Sequence, residues 1–267
     1  MNPGVIPISN LQLALGLVFV LFAGISSLAH RLGLEKDLAI GTVRTVAQLF
    51  LMGYALTLIF DLVHPLFVVA IYAAMIFFAA WTVKGRVEEK KVPYFFPTLG
   101  AMMASYLTVT VFITAVVVSA EPWWLPRYFI PLGGMVVGNS MNAIAICLER
   151  LFSQLSEKRD QVEAMLCLGA DYREASAGIF AEAIRAGMIP SINSMMGVGV
   201  VFIPGMMTGQ ILAGADPLDA IRYQIVVMLM LVGSTALGSL LVAWLVRRRC
   251  FGNAMDLLVG RKEKRGK

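Results

Sequence analysis

The side chains that could do chemistry in this chain are few, and they are scattered through long apolar stretches. Arg44 lies within one such stretch, and Gln48 follows it by one helical turn, so both side chains would share a helix face. A charge in so apolar a segment indicates one of two arrangements. The pair faces the interior of a helix bundle as part of a functional site, or the arginine extends to the nearest polar surface.

A second polar group follows a glycine-rich segment. Asn139 and Asn142 stand beside Gly134 and Gly138, which form a GxxxG pattern suited to close helix packing. Amides in such a segment must face another helix or a cavity, because lipid leaves them unpaired. The pattern therefore predicts either packing between helices or the lining of a transport pathway.

The run VFIPGMMTGQ (201–210) predicts a broken helix. Pro204 removes one backbone donor and disfavours helical geometry at the residue before it, while Gly205 relaxes the chain further. Broken helices at membrane depth often mark the site or gate of a transporter. Two adjacent methionines could bind a soft metal or simply provide adaptable packing. The predicted pathway residues in this run are Pro204, Gly205, Met206, Met207, Thr208, Gly209 and Gln210.

Several chemistries are excluded by missing motifs. The sequence has no Ser–His–Asp arrangement, no HExxH and no GxxxxGK[ST] phosphate loop. His30 and His64 flank different segments and form no cluster, and no carboxylate pair lies inside an apolar stretch. We therefore predict that the chain is not an enzyme and leave its metal ligands unassigned. If ATP drives it, another polypeptide must bind the ATP and Mg.

The composition shows which elements position these residues. Apolar residues make up 58% of the 267 residues and charged residues 15%, with a mean hydropathy of +0.77. A helix needs about 20 apolar residues to cross the hydrocarbon core. The sequence thus predicts an all-α polytopic membrane protein forming a single permease domain over 1–267. The seven predicted spans are 9–29, 38–60, 65–83, 95–118, 128–148, 187–211 and 223–246.

The distribution of positive charge predicts the orientation. Lys and Arg are sparse in alternate loops and frequent in the others, and they are most frequent in the tail that starts at Arg247. The positive-inside rule then places the N-terminus outside and the C-terminus in the cytoplasm. The net charge of +5 is explained by this tail beside anionic lipid, and we predict no nucleic-acid partner.

The segment 149–185 is the one substantial cytoplasmic insertion. It predicts a helix, a break at Gly169 and a second helix that begins at a capping box of Asp171 and Glu174. One interpretation is an amphipathic hairpin that lies on the headgroups. The other is a coupling helix that enters a groove on a cytoplasmic motor subunit, because its spacing resembles the EAAxxxG pattern of ABC permeases. The predicted coupling residues are Glu163, Ala164, Met165, Gly169 and Ala170.

Three segments together resemble one particular family. GTVRTVAQLFLMGYAL (41–56), EAMLCLGA (163–170) and VFIPGMMTGQILAGADPLDAIRYQI (201–225) are similar to the FetB family of ABC permeases. These are bacterial iron-export subunits, with plant relatives linked to aluminium tolerance. The resemblance covers nearly the whole chain. It implies a homodimeric permease bound to a separate cytoplasmic ATPase, and outward movement of iron.

The residues and the resemblance together indicate one function and leave two alternatives. We expect the permease subunit of an ATP-driven iron exporter in the cell membrane, working by alternating access around the broken helix. No array of Asp, Glu or His inside the membrane suits iron. The metal would therefore travel as a complex or use carbonyls and amides near Pro204, or the substrate differs. The alternatives are an ion-gradient carrier without an ATPase and a non-transporting scaffold or intramembrane enzyme.

Overall fold

A computed structural model describes residues 7–60, 64–252 and 256–260. The described residues form helices and no β-strand, so the all-α prediction is confirmed. A one-turn π-helix (Ile113–Val117) directly follows the α-helix that ends at Phe112. The helices are α1 (Asn10–His30), α2 (Glu35–Phe60), α3 (Pro65–Arg86), α4 (Phe95–Phe112), α5 (Pro126–Glu157), α6 (Arg159–Cys167), α7 (Tyr172–Ala175), α8 (Ala177–Gly197), α9 (Gly205–Leu212) and α10 (Pro217–Arg249).

Among the described helices, six are long and apolar enough to cross a membrane. They are α1, α2, α3, α4 with its π-helical turn, α5 and α10. Each covers one of the predicted spans, and α5 and α10 extend well beyond theirs. The count of seven continuous spanning helices is not supported, because the predicted span 187–211 is divided between α8 and α9.

The division between α8 and α9 has a local backbone cause. The chain leaves the helix after Gly197, and Gly199 adopts a φ of 80°, which an L side chain rarely adopts. The Gly199 amide donates to the Phe202 carbonyl oxygen at 2.9 Å, so a tight loop satisfies the backbone. Pro204 then acts as the N-cap of α9. The interruption therefore starts before Pro204, and Pro190, which falls within the predicted span 187–211, lies inside α8.

Pairs of contacting residues give the direction of each core helix. Asn139 and Arg150 of α5 contact Ser191 and Glu182 of α8, so these two helices are antiparallel. Ser140 contacts Ser234, and Cys147 contacts the Ser239 carbonyl oxygen, so α5 and α10 are parallel. By the same reasoning α3 runs parallel to α5, and α4 runs antiparallel to α3.

The core lies among α3, α4, α5, α8 and α10. Tyr72 is fully buried there, and its hydroxyl lies 2.8 Å from the Thr110 Oγ1. A Cβ on Gly133 would lie 2.5 Å from the Tyr72 ring, whereas one on Gly138 would meet nothing within 4 Å. The closest packing of α5 in this region is therefore at Gly133, while a Cβ on Gly134 would meet Met75 at 3.4 Å, and the predicted packing role of Gly134 and Gly138 as a pair stays a prediction.

The hairpin of α1 and α2 stands apart from this core. Ser27 is the only buried residue described in the two helices, and its hydroxyl donates to Glu35 at 2.7 Å. The side chains of the hairpin are otherwise largely exposed and apolar. In a membrane such a surface contacts lipid or another helix bundle.

Candidate transport pathway

A cluster of polar side chains joins α5, α8 and α10 inside the bundle. The Asn139 side-chain amide donates to the Ser191 Oγ at 3.1 Å and to the Thr235 Oγ1 at 3.2 Å. Ser191 and Thr235 lie 3.2 Å apart, and Ser140 and Ser234 extend the network with a 3.0 Å contact. The four hydroxyl residues are buried. Three helices are thus joined by polar bonds at membrane depth, where an unpaired group is costly.

A cavity of about 590 Å³ lies next to this polar cluster. It is lined by Arg86 of α3, by Asn142, Glu149 and Arg150 of α5, and by Ala186 of α8. The Arg86 Nη1 donates to the Asn142 Oδ1 at 2.5 Å. Asn142 follows Asn139 by about one helical turn and is exposed, so the polar side chains of the cluster and of the cavity form one polar route along α5.

A close helix contact lies beside this route. A Cβ on Gly187 of α8 would lie 2.7 Å from the Ala143 carbonyl oxygen and 3.0 Å from the Cys147 Cβ of α5. It would also lie 3.3 Å from the Ser239 Oγ of α10. The first neighbour is backbone, which can move only if the two helices separate. Glycine at this position therefore sets the distance between α5 and α8.

The predicted coupling segment forms α6 and the turn that follows it. Val162 packs into the core, whereas Met165 and Leu168 are 43% and 87% exposed. Gly169 has a φ of 96°, and the Ala170 amide donates to the Met165 carbonyl oxygen at 3.1 Å to close the helix. Ala164 is also exposed. The segment thus presents a small apolar face that ends at a glycine turn.

Contacts to the end of the chain hold α6 in place. The Arg159 guanidinium donates to the carbonyl oxygens of Leu257 and Val259 at 3.0 and 2.9 Å, and to the Glu163 Oε1 at 2.6 Å. Glu163 is therefore engaged within its own helix. The next helix, α7, begins at the predicted capping box, since Asp171 and Glu174 each accept from the other's backbone amide.

The structure does not bring the remaining predicted site residues to the polar cluster. Arg44 and Gln48 are exposed on α2, and neither has an ion pair or hydrogen bond among the described residues. In α9, Met206 packs against the core and Thr208 bonds only back to Pro204. The Gln210 Oε1 is buried without a partner in the described part of the chain. The predicted pathway residues Gly205, Met207 and Gly209 belong to the same short helix.

Sequence reasoning missed most members of the polar route. Ser191 and Thr235 are ordinary small polar residues within apolar helices, and their meeting depends on how three distant segments pack. Arg86 was counted only as a loop charge. The available signal was the asparagine pair, because an amide within an apolar helix requires partners from neighbouring helices or a cavity.

Six described helices long and apolar enough to cross a bilayer define a multi-pass membrane protein. A family model described as Uncharacterised protein family (UPF0014) matches residues 10–251, and the chain belongs to this family. No solved structure gives a significant match.

The relatives include proteins of bacteria and plants. "Probable iron export permease protein FetB" of Escherichia coli (strain K12) is 32% identical over 97% of this chain and 98% of its own. "UPF0014 membrane protein slr1647" of Synechocystis is 38% identical over 81% and 83%, respectively. "Protein ALUMINUM SENSITIVE 3" of Arabidopsis thaliana is 33% identical over 91% and 88%. The resemblance to FetB-type permeases is confirmed.

Proposed function

We propose that this chain is the membrane-spanning permease subunit of an ATP-driven ABC exporter that moves iron out of the cytoplasm by alternating access. The observation that carries the proposal is the exposed apolar face of α6, held by Arg159 and closed by the Gly169 turn. A short helix of this kind, fixed to the bundle, can transmit the movement of a partner. The name of the FetB relative supports iron as the substrate.

The proposed partner is a separate cytoplasmic ATPase that binds ATP and Mg. Its groove would receive Ala164, Met165 and the neighbouring Leu168, and the Gly169–Ala170 turn would let the chain leave the groove. Glu163 would position α6 through Arg159. Movement of α6 would pass along α5 and alter the packing around the polar cluster.

The proposed topology has seven crossings, with α8 as the sixth, in the cell membrane. Because α5 and α10 run parallel, both enter the membrane from the same side, so the chain must cross back once between them. The helix α8 is antiparallel to α5 and can make this return crossing. Its sequence is less apolar than that of the other crossings, because it includes Glu182 and Arg185 in its first half. The distribution of Lys and Arg supports an external N-terminus and a cytoplasmic C-terminus.

The proposed assembly is a homodimer of the permease with two ATPase copies. The exposed hairpin of α1 and α2 offers each permease an apolar surface for the other. Arg44 and Gln48, unpaired on α2, would then contact the second copy instead of lipid. Residues Pro204–Gln210 would form the outer end of the pathway beyond the α8 crossing.

The proposed form of the substrate is an anionic iron chelate. The described residues include no group of three or more His, Cys, Asp or Glu that could hold a metal ion. The cavity is lined by Arg86, Arg150 and Glu149, and Arg150 is also paired with Glu182 of α8 at 3.6 Å. Arg86 has no carboxylate partner among the described residues, so its guanidinium is the group that would bind a negatively charged complex.

Replacing Arg86 with glutamine should reduce export about tenfold, because a hydrogen bond to a charged group contributes roughly 1.5–3 kcal/mol. Arg86→Lys, which keeps the charge, should retain more activity. Arg127→Gln, at an exposed position on the proposed outer side, is the matched control. Iron transport into inverted vesicles measures the effect. Equal losses in Arg86→Gln and Arg86→Lys would contradict a role for the charge.

Reconstitution tests the proposed function as a whole. The full chain and its ATPase are placed in vesicles, and iron movement is measured with ATP, without ATP, and with an ion gradient alone. The proposal predicts transport only with hydrolysable ATP. Transport driven by the gradient without the ATPase would support the alternative carrier, and no transport of any metal or chelate would support the scaffold.

A further inference from the structure

Three arginines surround one aromatic ring at the end of α10. The guanidinium carbons of Arg173, Arg247 and Arg248 lie 5.6, 5.8 and 5.2 Å from the centroid of the Tyr172 ring. The Arg173 Nε also donates to the Tyr172 hydroxyl at 3.1 Å, which raises the pKa of Arg173. Three positive charges are therefore gathered around a single phenol.

Among the described acidic side chains, that of Asp171 acts electrostatically on Arg173 and Arg247 without a direct ion pair to either. None forms an ion pair with Arg173, Arg247 or Arg248. The Asp171 carboxylate accepts from the Glu174 amide at 2.7 Å as a helix cap. Arg247 is only 7% exposed, and its Nε has no hydrogen-bond partner within the described ranges. The Arg247 guanidinium lies 4.2 Å from the centroid of the Phe180 ring, so Arg173 and Arg248 are the members of the group that remain open to an anion.

A cavity of about 760 Å³ is open beside this group of residues. We call it the arginine pocket, after the residues that give it its charge: Arg173, Arg248 and Arg249. Tyr172 and Trp244 also line it. A carboxylate, that of Asp256, lies against Gly252 at its edge. Positive charge therefore dominates the pocket.

An exposed apolar stripe leads along α10 into the arginine pocket. Leu237, Leu240 and Trp244 are 45%, 46% and 51% exposed, and Arg248 continues the same helix face. Leucines on such a face contact acyl chains, and tryptophan favours the boundary between hydrocarbon and headgroups. The surface thus changes from apolar to aromatic to positively charged toward the end of α10. A phospholipid changes in the same direction, from apolar acyl chains to a charged headgroup.

We propose that the arginine pocket binds the headgroup of an anionic phospholipid from the leaflet at the α10 C-terminus, with its acyl chains along Leu237 and Leu240. Basic pockets at the end of spanning helices suit phosphate headgroups. The apolar stripe favours a lipid as the ligand, because an acidic segment of a protein would bind the arginines and leave the stripe uncovered. The proposed topology makes this the cytoplasmic leaflet, but the binding itself does not depend on transport.

Native mass spectrometry of the purified full chain in detergent tests the proposal. The chain is titrated with dioleoyl-phosphatidylglycerol and with dioleoyl-phosphatidylcholine. The wild-type chain should bind the anionic lipid at least tenfold more tightly. The double variant Arg173→Gln/Arg248→Gln should bind it about 30-fold more weakly than the wild type. The control Arg127→Gln/Arg222→Gln loses the same charge at exposed positions and should behave as the wild type does.

A second measurement places the lipid at the pocket. Brominated phosphatidylglycerol should quench tryptophan fluorescence, and the quenching should fall in Trp244→Phe. Equal binding by the wild type and the pocket variant would overturn the proposal. So would displacement of the lipid by equimolar glycerol phosphate, which would indicate a site for a soluble anion. Loss of ATPase co-purification in the pocket variant with unchanged lipid binding would also overturn it, in favour of a protein interface.

Discussion

Replacing Leu168 with glutamate should reduce ATP-driven export at least tenfold while leaving the fold intact. Leu168 is 87% exposed at the end of α6, so the free permease loses no packing. In the proposed complex the same side chain is buried in the groove of the ATPase. Burying a leucine contributes roughly 1.5–3 kcal/mol, which corresponds to about tenfold or more in affinity. The measurement is co-purification of the ATPase together with iron transport in vesicles.

Leu32→Glu is the matched control for this substitution. Leu32 is 57% exposed between α1 and α2, on the same side in the proposed topology, but it lies outside the coupling segment. It should leave co-purification and transport close to wild-type values. If Leu168→Glu kept full ATPase binding and transport, α6 would have no coupling role.

Replacing Gly187 with alanine should destabilise the bundle by about 1–3 kcal/mol and lower export at least tenfold. The added Cβ would lie 2.7 Å from the Ala143 carbonyl oxygen, so α5 and α8 must move apart. That separation lengthens the Asn139–Ser191 hydrogen bond, which joins the same two helices. Thermal unfolding in detergent measures the first effect, and vesicle transport measures the second.

Gly178 provides a control within the same helix. A Cβ at Gly178 meets nothing within 4 Å, and alanine favours a helix over glycine by roughly 1 kcal/mol. Gly178→Ala should therefore be neutral or stabilising and should transport normally. A Gly187→Ala variant as stable and active as Gly178→Ala would show that the close approach of α5 and α8 is unimportant.

The sequence predicted those elements that depend on local composition. Long apolar runs identified six spanning helices, because crossing a bilayer sets a minimum length that few other structures need. The capping box at Asp171 and the glycine turn at Gly169 were also predicted, since both follow from residues within one turn of each other. Features of this kind can be predicted without knowing how the helices pack.

Features that depend on packing could not be predicted in this way. The helix α8 begins at Ala177, well before its predicted span, where Glu182 pairs with Arg150 of α5, and its continuation into α9 fails at Gly199. The polar cluster joins Ser191 and Thr235, which are 44 residues apart. The position of the close glycine contact, Gly187, depends on the register of two helices. None of these leaves a periodic pattern in the sequence.

The central claim is that α6 docks on a separate ATPase, and the chain's own cysteines allow a direct test. Cys167 lies at the end of α6 and is exposed, whereas Cys147 and Cys250 are buried. A photoreactive crosslinker on Cys167 in membranes that contain both proteins should yield one product with the combined mass of the chain and the ATPase. Cys167→Ser, and a cysteine placed at Leu32 in that background, should yield none. Efficient labelling of Cys167 with no product that contains the ATPase would contradict the account.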